Sequence, residues 1–87
     1  MNTFPLTVSS PEGDLFRGEA VSLCVRGVEG ELAVMAGHIP FVTPVKACEC
    51  KLELADGSVK RGRTDGGLLT VTRGGVTLLS GSFVWNE

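Results

Sequence analysis

The stretch from Cys48 to Gly57 reads Cys-Glu-Cys-Lys-Leu-Glu-Leu-Ala-Asp-Gly, and apolar and charged residues alternate in it up to Leu54. Apolar side chains at every second position are typical of a β-strand with one buried face. The Asp56-Gly57 pair that follows favours a tight hairpin turn. We therefore expect a strand over residues 46–54 to pair antiparallel with a second strand over residues 58–63.

Similar turns divide the rest of the chain into short runs rich in Val, Thr, Leu and Phe. A helix of about 10–12 residues would have to contain one of the glycine clusters, which disfavours helices throughout. Strands are expected at residues 4–9, 15–18, 20–26, 31–35, 41–45, 46–54, 58–63, 68–72, 76–80 and 83–85. This spacing predicts an all-β fold: an antiparallel two-sheet β-sandwich of about nine or ten short strands. One domain is expected over residues 1–87.

The composition excludes several classes of protein. A hydrophobic share of 43% and a charged share of 21% are those of a folded globular chain. Lys and Arg number 8 against 10 Asp and Glu, so the formal net charge of −2 argues against a nucleic-acid-binding protein. No apolar stretch approaches the roughly 18 residues of a membrane-spanning helix. The first ten residues lack the basic start of a signal peptide, so we expect none.

The residues that could carry chemistry are few and scattered. His38 is the single histidine and lies in a loop marked by Gly37 and Pro40, where it either bonds to the backbone or contacts a partner. No other ligand-type residue stands at metal-ligand spacing from it, so no metal and no cofactor are expected. A nucleophile needs an adjacent base, and nothing in the sequence places His38 beside a cysteine, so we expect no catalytic site.

The three cysteines divide between two environments. Cys48 and Cys50 alternate with charged residues and share a face with leucines, which predicts that both are buried and reduced. Cys24 shares the polar face of its strand with Ser22 and Arg26.

Two charged segments remain open to more than one interpretation. Residues 27–32 form a tight acidic turn, which is either an ordinary hairpin or a pair of carboxylates that addresses basic groups on a partner. Lys60, Arg61 and Arg63 form a small basic cluster, interpreted as a solvated edge strand or, as the second choice, a docking site for an acidic partner.

Six segments in order resemble the N-terminal β-sandwich domain of the epsilon subunits of F-type ATP synthases, called delta in mitochondria. The segments are Leu6-Thr7-Val8-Ser9-Ser10-Pro11-Glu12-Gly13, Leu15-Phe16-Arg17-Gly18-Glu19-Ala20, Gly27-Val28-Glu29-Gly30-Glu31-Leu32-Ala33-Val34, Gly37-His38-Ile39-Pro40-Phe41-Val42-Thr43, Asp65-Gly66-Gly67-Leu68-Leu69-Thr70-Val71 and Val76-Thr77-Leu78-Leu79. The chain departs from the family pattern at Ala36, where a proline is usual, and at Ala47-Cys48, where Pro-Gly is common.

The resemblance implies a non-catalytic subunit of the central stalk, the rotor that links the gamma subunit to the c-ring and couples proton flow to ATP synthesis. It implies a c-ring contact at Glu29, Gly30 and Glu31, with Glu31 in the family's acidic position. It implies gamma-subunit contacts at Ser10, His38 and Thr43. The expected location is the cytoplasmic face of the inner (plasma) membrane, with association only through the complex and with no small-molecule substrate.

Family members commonly continue into a C-terminal helical hairpin that is associated with inhibition of ATP hydrolysis and, in some members, with ATP binding. This sequence ends at Glu87, so we expect gamma binding without ATPase inhibition and without nucleotide binding. The alternative function is a small ligand- or peptide-binding β-sandwich, which would expose aromatic side chains, whereas this chain has one Trp and no Tyr. A small hydrolase is disfavoured because no catalytic triad is evident.

Overall fold

The computed structural model of this chain describes residues 2–86, which form β-strands joined by short turns. The strands in this part of the chain are β1 (Phe4–Ser10), β2 (Gly13–Gly27), β3 (Gly30–Met35), β4 (Phe41–Val45), β5 (Cys48–Leu54), β6 (Val59–Thr64), β7 (Gly67–Thr72), β8 (Gly75–Ser80) and β9 (Phe83–Trp85). Among residues 2–86 there is no helix long and apolar enough to cross a membrane.

The strands form two layers that share the long strand β2. Residues 13–20 of β2 pair with β1, and the layer continues through β8 and β7 to β4. Residues 22–27 of β2 pair with β3 on one side, residues 20–24 pair with β5 on the other, and this second layer continues through β6 to β9. Gly27 also pairs with Val45, which joins the two layers at one corner. The predicted all-β two-sheet sandwich is therefore confirmed.

Strand β2 corrects one sequence-based expectation. The sequence pattern predicts separate strands at residues 15–18 and 20–26, but these residues belong to a single strand. The pairing register with β5 shifts between Ala20 and Ser22, so Val21 is a bulge at which the strand passes from one layer to the other. The predicted break lies at residue 19, two residues before the bulge, because Gly18 is interpreted from the sequence as the end of a strand.

A second correction concerns strand direction. The expected sandwich is fully antiparallel, but β1 runs parallel to β8, with Leu6 opposite Val76 and Val8 opposite Leu78. The other pairings are antiparallel. Alternation of apolar residues predicts which face of a strand is buried but is identical for the two directions, so the sequence pattern could not distinguish them.

The core lies between the two layers and is built from the inward positions of almost every strand. Burying a leucine or valine side chain stabilises the fold by about 1.5–3 kcal/mol. The buried apolar residues are Phe4, Leu6, Val8, Ala20, Leu23, Val25, Val34, Val45, Cys48, Cys50, Leu52, Leu69, Val71, Val76, Leu78 and Phe83.

The strand directions gather the turns at the two ends of the sandwich. One end, called here the acidic end, carries the turns at residues 11–12, 28–29, 46–47, 65–66 and 81–82. The opposite end carries the turns at residues 36–40, 55–58 and 73–74. This arrangement decides which candidate functional residues lie near one another.

Candidate functional site

Four neighbouring strands present an outer surface that, in the part of the chain that the structure describes, carries no charged side chain, although the adjoining β2 borders it with Asp14 and Arg17. It consists of the outward positions of β1, β8, β7 and β4, and is called here the uncharged face: Thr7, Ser9, Val42, Pro44, Leu68, Thr70, Thr77 and Leu79. Pro44, Leu68, Leu79 and Ser9 follow one another across the four strands, and both leucines are exposed. Neighbouring exposed apolar side chains make this face a candidate interaction surface.

The opposite outer face carries many charged side chains. Here the outward positions of β3, β2, β5 and β6, called the charged face, include Arg26, Glu31, Glu49, Lys51, Glu53, Arg61 and Arg63. Glu31 lies opposite Arg26 and Glu49 lies opposite Arg63, and Arg61 Nη1 donates to Glu49 Oε1 at 3.3 Å. A sheet face that carries many charges of both signs is typical of a face in contact with solvent.

The acidic turn joins β2 to β3 and projects from the acidic end. Gly27 pairs with Gly30, so Val28 and Glu29 form a two-residue loop. Gly30 has a φ of +127°, which favours glycine at this position. Glu29 and Glu31 are exposed, and among the described residues neither carboxylate has an ion-pair partner within 4 Å.

A groove lies between the acidic turn and strand β4. It is lined by the turn residues together with Phe41 and Thr43, and no basic side chain of residues 2–86 lines it. Glu31 lies at the junction of two surfaces, because it also lines a groove of the charged face beside Arg26. The predicted c-ring residues Glu29, Gly30 and Glu31 are thus brought together on one projecting turn.

The three predicted gamma-contact residues do not converge on one groove. Ser10, at the acidic end, accepts a hydrogen bond from Glu12 N at 3.2 Å and lies in a groove beside Leu68 and Leu79. Thr43 lines the groove of the acidic turn, and His38 is exposed at the opposite end of the sandwich.

The three predicted gamma-contact residues belong to the same layer of the sandwich. Ser10 lies on β1, Thr43 lies on β4, and the loop that carries His38 leads into β4. The His38 ring packs at 5.3 Å, centroid to centroid, from the Phe41 ring, and its backbone N–H donates to Met35 O at 3.3 Å. The three residues are therefore distributed along the layer that presents the uncharged face.

The interpretation of the basic cluster as an edge strand is wrong. Strand β6 lies between β5 and β9, and β9 pairs with residues 62–64, so β6 is not the last strand of its layer. Lys60 points to the opposite side of β6 from Arg61 and Arg63, because successive side chains alternate. Its Nζ lies 4.8 Å from the centre of the Trp85 ring, a cation–π contact. The three basic side chains therefore form no common surface.

The prediction that Cys48 and Cys50 are buried is confirmed. Burial raises the pKa of Cys50 from 9.0 to about 12, and the neighbouring Cys48 thiol and Glu49 add to the shift. Cys48 Sγ accepts a hydrogen bond from Arg26 N at 3.3 Å. The Cys50 thiol therefore remains protonated at neutral pH. In residues 2–86 no group of three His, Cys, Asp or Glu side chains could hold a metal ion.

Sequence reasoning missed the uncharged face. Val42, Leu68 and Leu79 occupy outward positions of their strands, where a solvated sheet usually carries charge. The signal was present in residues 67–72 and 75–80, which contain no charged residue at any position. It could not be interpreted without knowing that these strands are neighbours of β4 and β1.

A family model described as "ATP synthase, Delta/Epsilon chain, beta-sandwich domain" matches residues 3–86. The chain belongs to this family. A relative named "ATP synthase epsilon chain" from Delftia acidovorans is 39% identical over 80 residues, which are 92% of this chain and 58% of the relative. A relative of the same name from Caldicellulosiruptor saccharolyticus is 33% identical over 87 residues, which are 100% of this chain and 63% of the relative. This delta/epsilon β-sandwich chain therefore spans about three fifths of the length of these relatives.

Solved structures show the same fold at lower sequence identity. A chain in the Euglena gracilis mitochondrial ATP synthase (OSCP/F1/c-ring) superposes with a TM-score of 0.89 at 22% identity, covering 95% of this chain and 53% of that one. A chain in the Tetrahymena thermophila mitochondrial ATP synthase (central stalk/c-ring) gives a TM-score of 0.75 at 11% identity, covering 91% and 63%. At these identities the two structures establish the delta/epsilon sandwich fold alone.

Proposed function

We propose that this chain is a non-catalytic rotor module of an F-type ATP synthase, which binds the gamma subunit and contacts the c-ring, and so helps to couple proton flow to ATP synthesis. The observation that carries the proposal is the contrast between the two outer faces. One is uncharged and exposes leucine and valine, and the other carries charges of both signs, with Arg61 paired to Glu49. The names of the relatives and the assemblies that contain the fold neighbours support the choice of partners.

The gamma subunit is assigned to the uncharged face. Removing Val42, Leu68 and Leu79 from water on association is favourable, and no charge on this face would lose its hydration. Ser10 lies at the rim of the face beside both leucines. Thr43 and His38 belong to the same layer, but Thr43 alternates with Val42 and Pro44 and therefore lines the groove of the acidic turn, so these two residues would meet gamma only where it extends beyond the uncharged face.

The c-ring is assigned to the acidic turn. Glu29 and Glu31 project from a short loop, and the groove behind them lacks a basic lining residue within residues 2–86. A basic or polar loop of the ring would supply ion-pair or hydrogen-bond partners for these carboxylates across the interface. The turn and the uncharged face are different surfaces, so one sandwich can present both at once, and Thr43 lies in the groove that adjoins the turn.

The proposal places the chain at the cytoplasmic face of the inner membrane, peripherally and only through the complex. A stiff two-layer sandwich suits a part that transmits torque, because close-packed interiors have low compressibility. The direct test is to titrate isolated gamma subunit with the purified chain by calorimetry. A saturable complex with one chain per gamma is expected, and the absence of binding would overturn the proposal.

A further inference from the structure

Two hydroxyl groups lie buried between the layers at the acidic end. Thr64 ends β6 in the charged layer and Ser80 ends β8 in the uncharged layer, and their side chains are 1% and 4% exposed. Their oxygen atoms are 2.5 Å apart. Burying a hydroxyl is unfavourable unless it is hydrogen-bonded, so this pair differs in kind from the apolar core around it.

The hydrogen bonds around the pair run in one direction. Ser80 Oγ lies 2.6 Å from Ser82 O, a carbonyl oxygen that can only accept, so the single Ser80 proton points there. Thr64 then donates to Ser80 at 2.5 Å rather than to Gly66 O, which lies farther away at 3.2 Å, because the short contact between the two hydroxyl oxygens would otherwise contain no proton. Thr64 Oγ1 accepts in turn from Gly66 N at 3.0 Å. The result is a chain of three bonds from the amide of Gly66 to the carbonyl of Ser82.

This hydroxyl chain joins the two loops that pass between the layers. Residues 65–66 connect β6 to β7, and residues 81–82 connect β8 to β9. The same loops are held by Asp65, whose Oδ1 accepts from Ser82 N at 2.9 Å, and by Gly81 N, which donates to Gly66 O at 3.3 Å. All of these bonds converge on the ends of β7 and β8.

Those strand ends form one border of the uncharged face. Ser80 lies opposite Gly67, and the next pair inward is Leu68 opposite Leu79, the exposed leucines assigned to gamma. A groove that runs from Ser10 to Gly81 is lined by both leucines and by Ser80. A displacement of either loop would therefore change the spacing of Leu68 and Leu79.

We propose that Thr64 and Ser80 are positioning residues for gamma binding: their buried hydroxyl chain fixes the end of β7 and β8 and holds Leu68 and Leu79 in the geometry that gamma recognises. This inference rests on the proposed function for the identity of the partner. The effect of the hydroxyl chain on the two loops does not depend on the identity of the partner. Two measurements therefore test the hydroxyl chain and the proposed function separately.

The first measurement is amide hydrogen exchange of the isolated chain. Thr64→Val keeps the shape of the side chain but removes the hydroxyl, whereas Thr64→Ser keeps the hydroxyl. We expect Thr64→Val to speed exchange at residues 66–68 and 79–82 by about tenfold, the equivalent of one lost hydrogen bond, and Thr64→Ser to restore slow exchange. Equal exchange in wild type and Thr64→Val would overturn the inference.

The second measurement is the affinity for gamma at a temperature where every variant is folded. Thr64→Val should weaken binding by about tenfold, and Thr64→Ser should restore it. Val34→Ala, a core change on β3 of the charged layer, away from β7 and β8, is the control for general destabilisation and should bind like wild type. If Val34→Ala weakened gamma binding as much as Thr64→Val, Thr64 would act only through general stability, and the inference would be overturned. If wild type itself does not bind gamma, the proposed function fails, and the exchange data alone decide the role of the hydroxyl chain.

Discussion

The α-carbon of Gly67 lies against the backbone carbonyl of Leu79, so closely that a β-carbon built on Gly67 would overlap the carbonyl oxygen. The carbonyl belongs to the backbone of the neighbouring strand and cannot rotate away. The close approach is located at the end of β7, between the buried hydroxyl pair and the uncharged face. Glycine is thus required here by space, and a side chain would push β8 away.

Gly67→Ala should therefore destabilise the fold by about 3 kcal/mol, the upper range for forcing extra atoms into a packed region. Gly74→Ala is the matched control: its β-carbon would meet only Thr72 Oγ1, at 3.8 Å. The control should change the free energy of unfolding by less than about 0.5 kcal/mol. Urea unfolding measures the free energy of unfolding of both variants. Equal stability of Gly67→Ala and Gly74→Ala would show that β8 can move to accept the side chain and would contradict the prediction.

The raised pKa of Cys50 predicts a loss of stability in alkali. Below pH 9.0 the thiol is protonated in both the folded and the unfolded chain, so its contribution is constant. Between pH 9.0 and about 12 only the unfolded chain releases the proton, so unfolding becomes more favourable as pH rises. The expected loss is about 1.4 kcal/mol per pH unit in this window. The chain has no Tyr to titrate in the same range, so Cys50→Ala should remove most of this slope in urea unfolding measured at pH 8 and pH 10.

The cysteines should also differ in reactivity. Cys48 and Cys50 are buried, whereas Cys24 is half-buried on the charged face. Because the accessible thiolate is the reactive form, a thiol reagent should label Cys24 first and the other two only after unfolding. Mass spectrometry of the native chain after a short exposure gives the order. Rapid native labelling at Cys50 would contradict the buried position.

Reversal of charge on the acidic turn should separate stability from coupling. Glu31→Lys places two cations opposite each other, since Glu31 faces Arg26, and should cost the isolated chain less than about 1 kcal/mol. At the c-ring the same change opposes like charges across an interface, so proton-driven ATP synthesis in membrane vesicles should fall markedly. Glu53→Lys is the control, because Glu53 lies on the same charged face but at the end of β5 that is remote from the acidic turn. This variant should leave ATP synthesis unchanged. Unchanged synthesis in Glu31→Lys would place the ring contact elsewhere.

Much of the fold could be predicted because each strand carries its own pattern. Alternation alone assigns Cys50 and Leu52 to the core, and Gly57, with a φ of +89°, occupies the turn that Asp56-Gly57 predicts. The parallel pairing of β1 with β8 and the bulge at Val21 could not be predicted, because both depend on contacts between segments distant in the sequence.

The candidate site was predictable only in part. The acidic turn is local in sequence, so the spacing of Glu29 and Glu31 is enough to show that they are neighbours. The uncharged face is assembled from four strands, and Leu68 and Leu79 meet only through pairing of β7 with β8. The hydroxyls of Thr64 and Ser80 lie 16 residues apart and carry no motif.

The central claim, that gamma binds the uncharged face, is tested most directly by placing one charge on each outer face. Leu79 is 49% exposed on the uncharged face and Val59 is 46% exposed on the other layer, so Leu79→Lys and Val59→Lys are matched in exposure and in charge. Calorimetric titration of gamma should show Leu79→Lys weakened by about 100-fold, because the new charge would be buried in the complex, while Val59→Lys binds like wild type. Wild-type affinity in Leu79→Lys, or an equal loss in Val59→Lys, would contradict the assignment of gamma to this face.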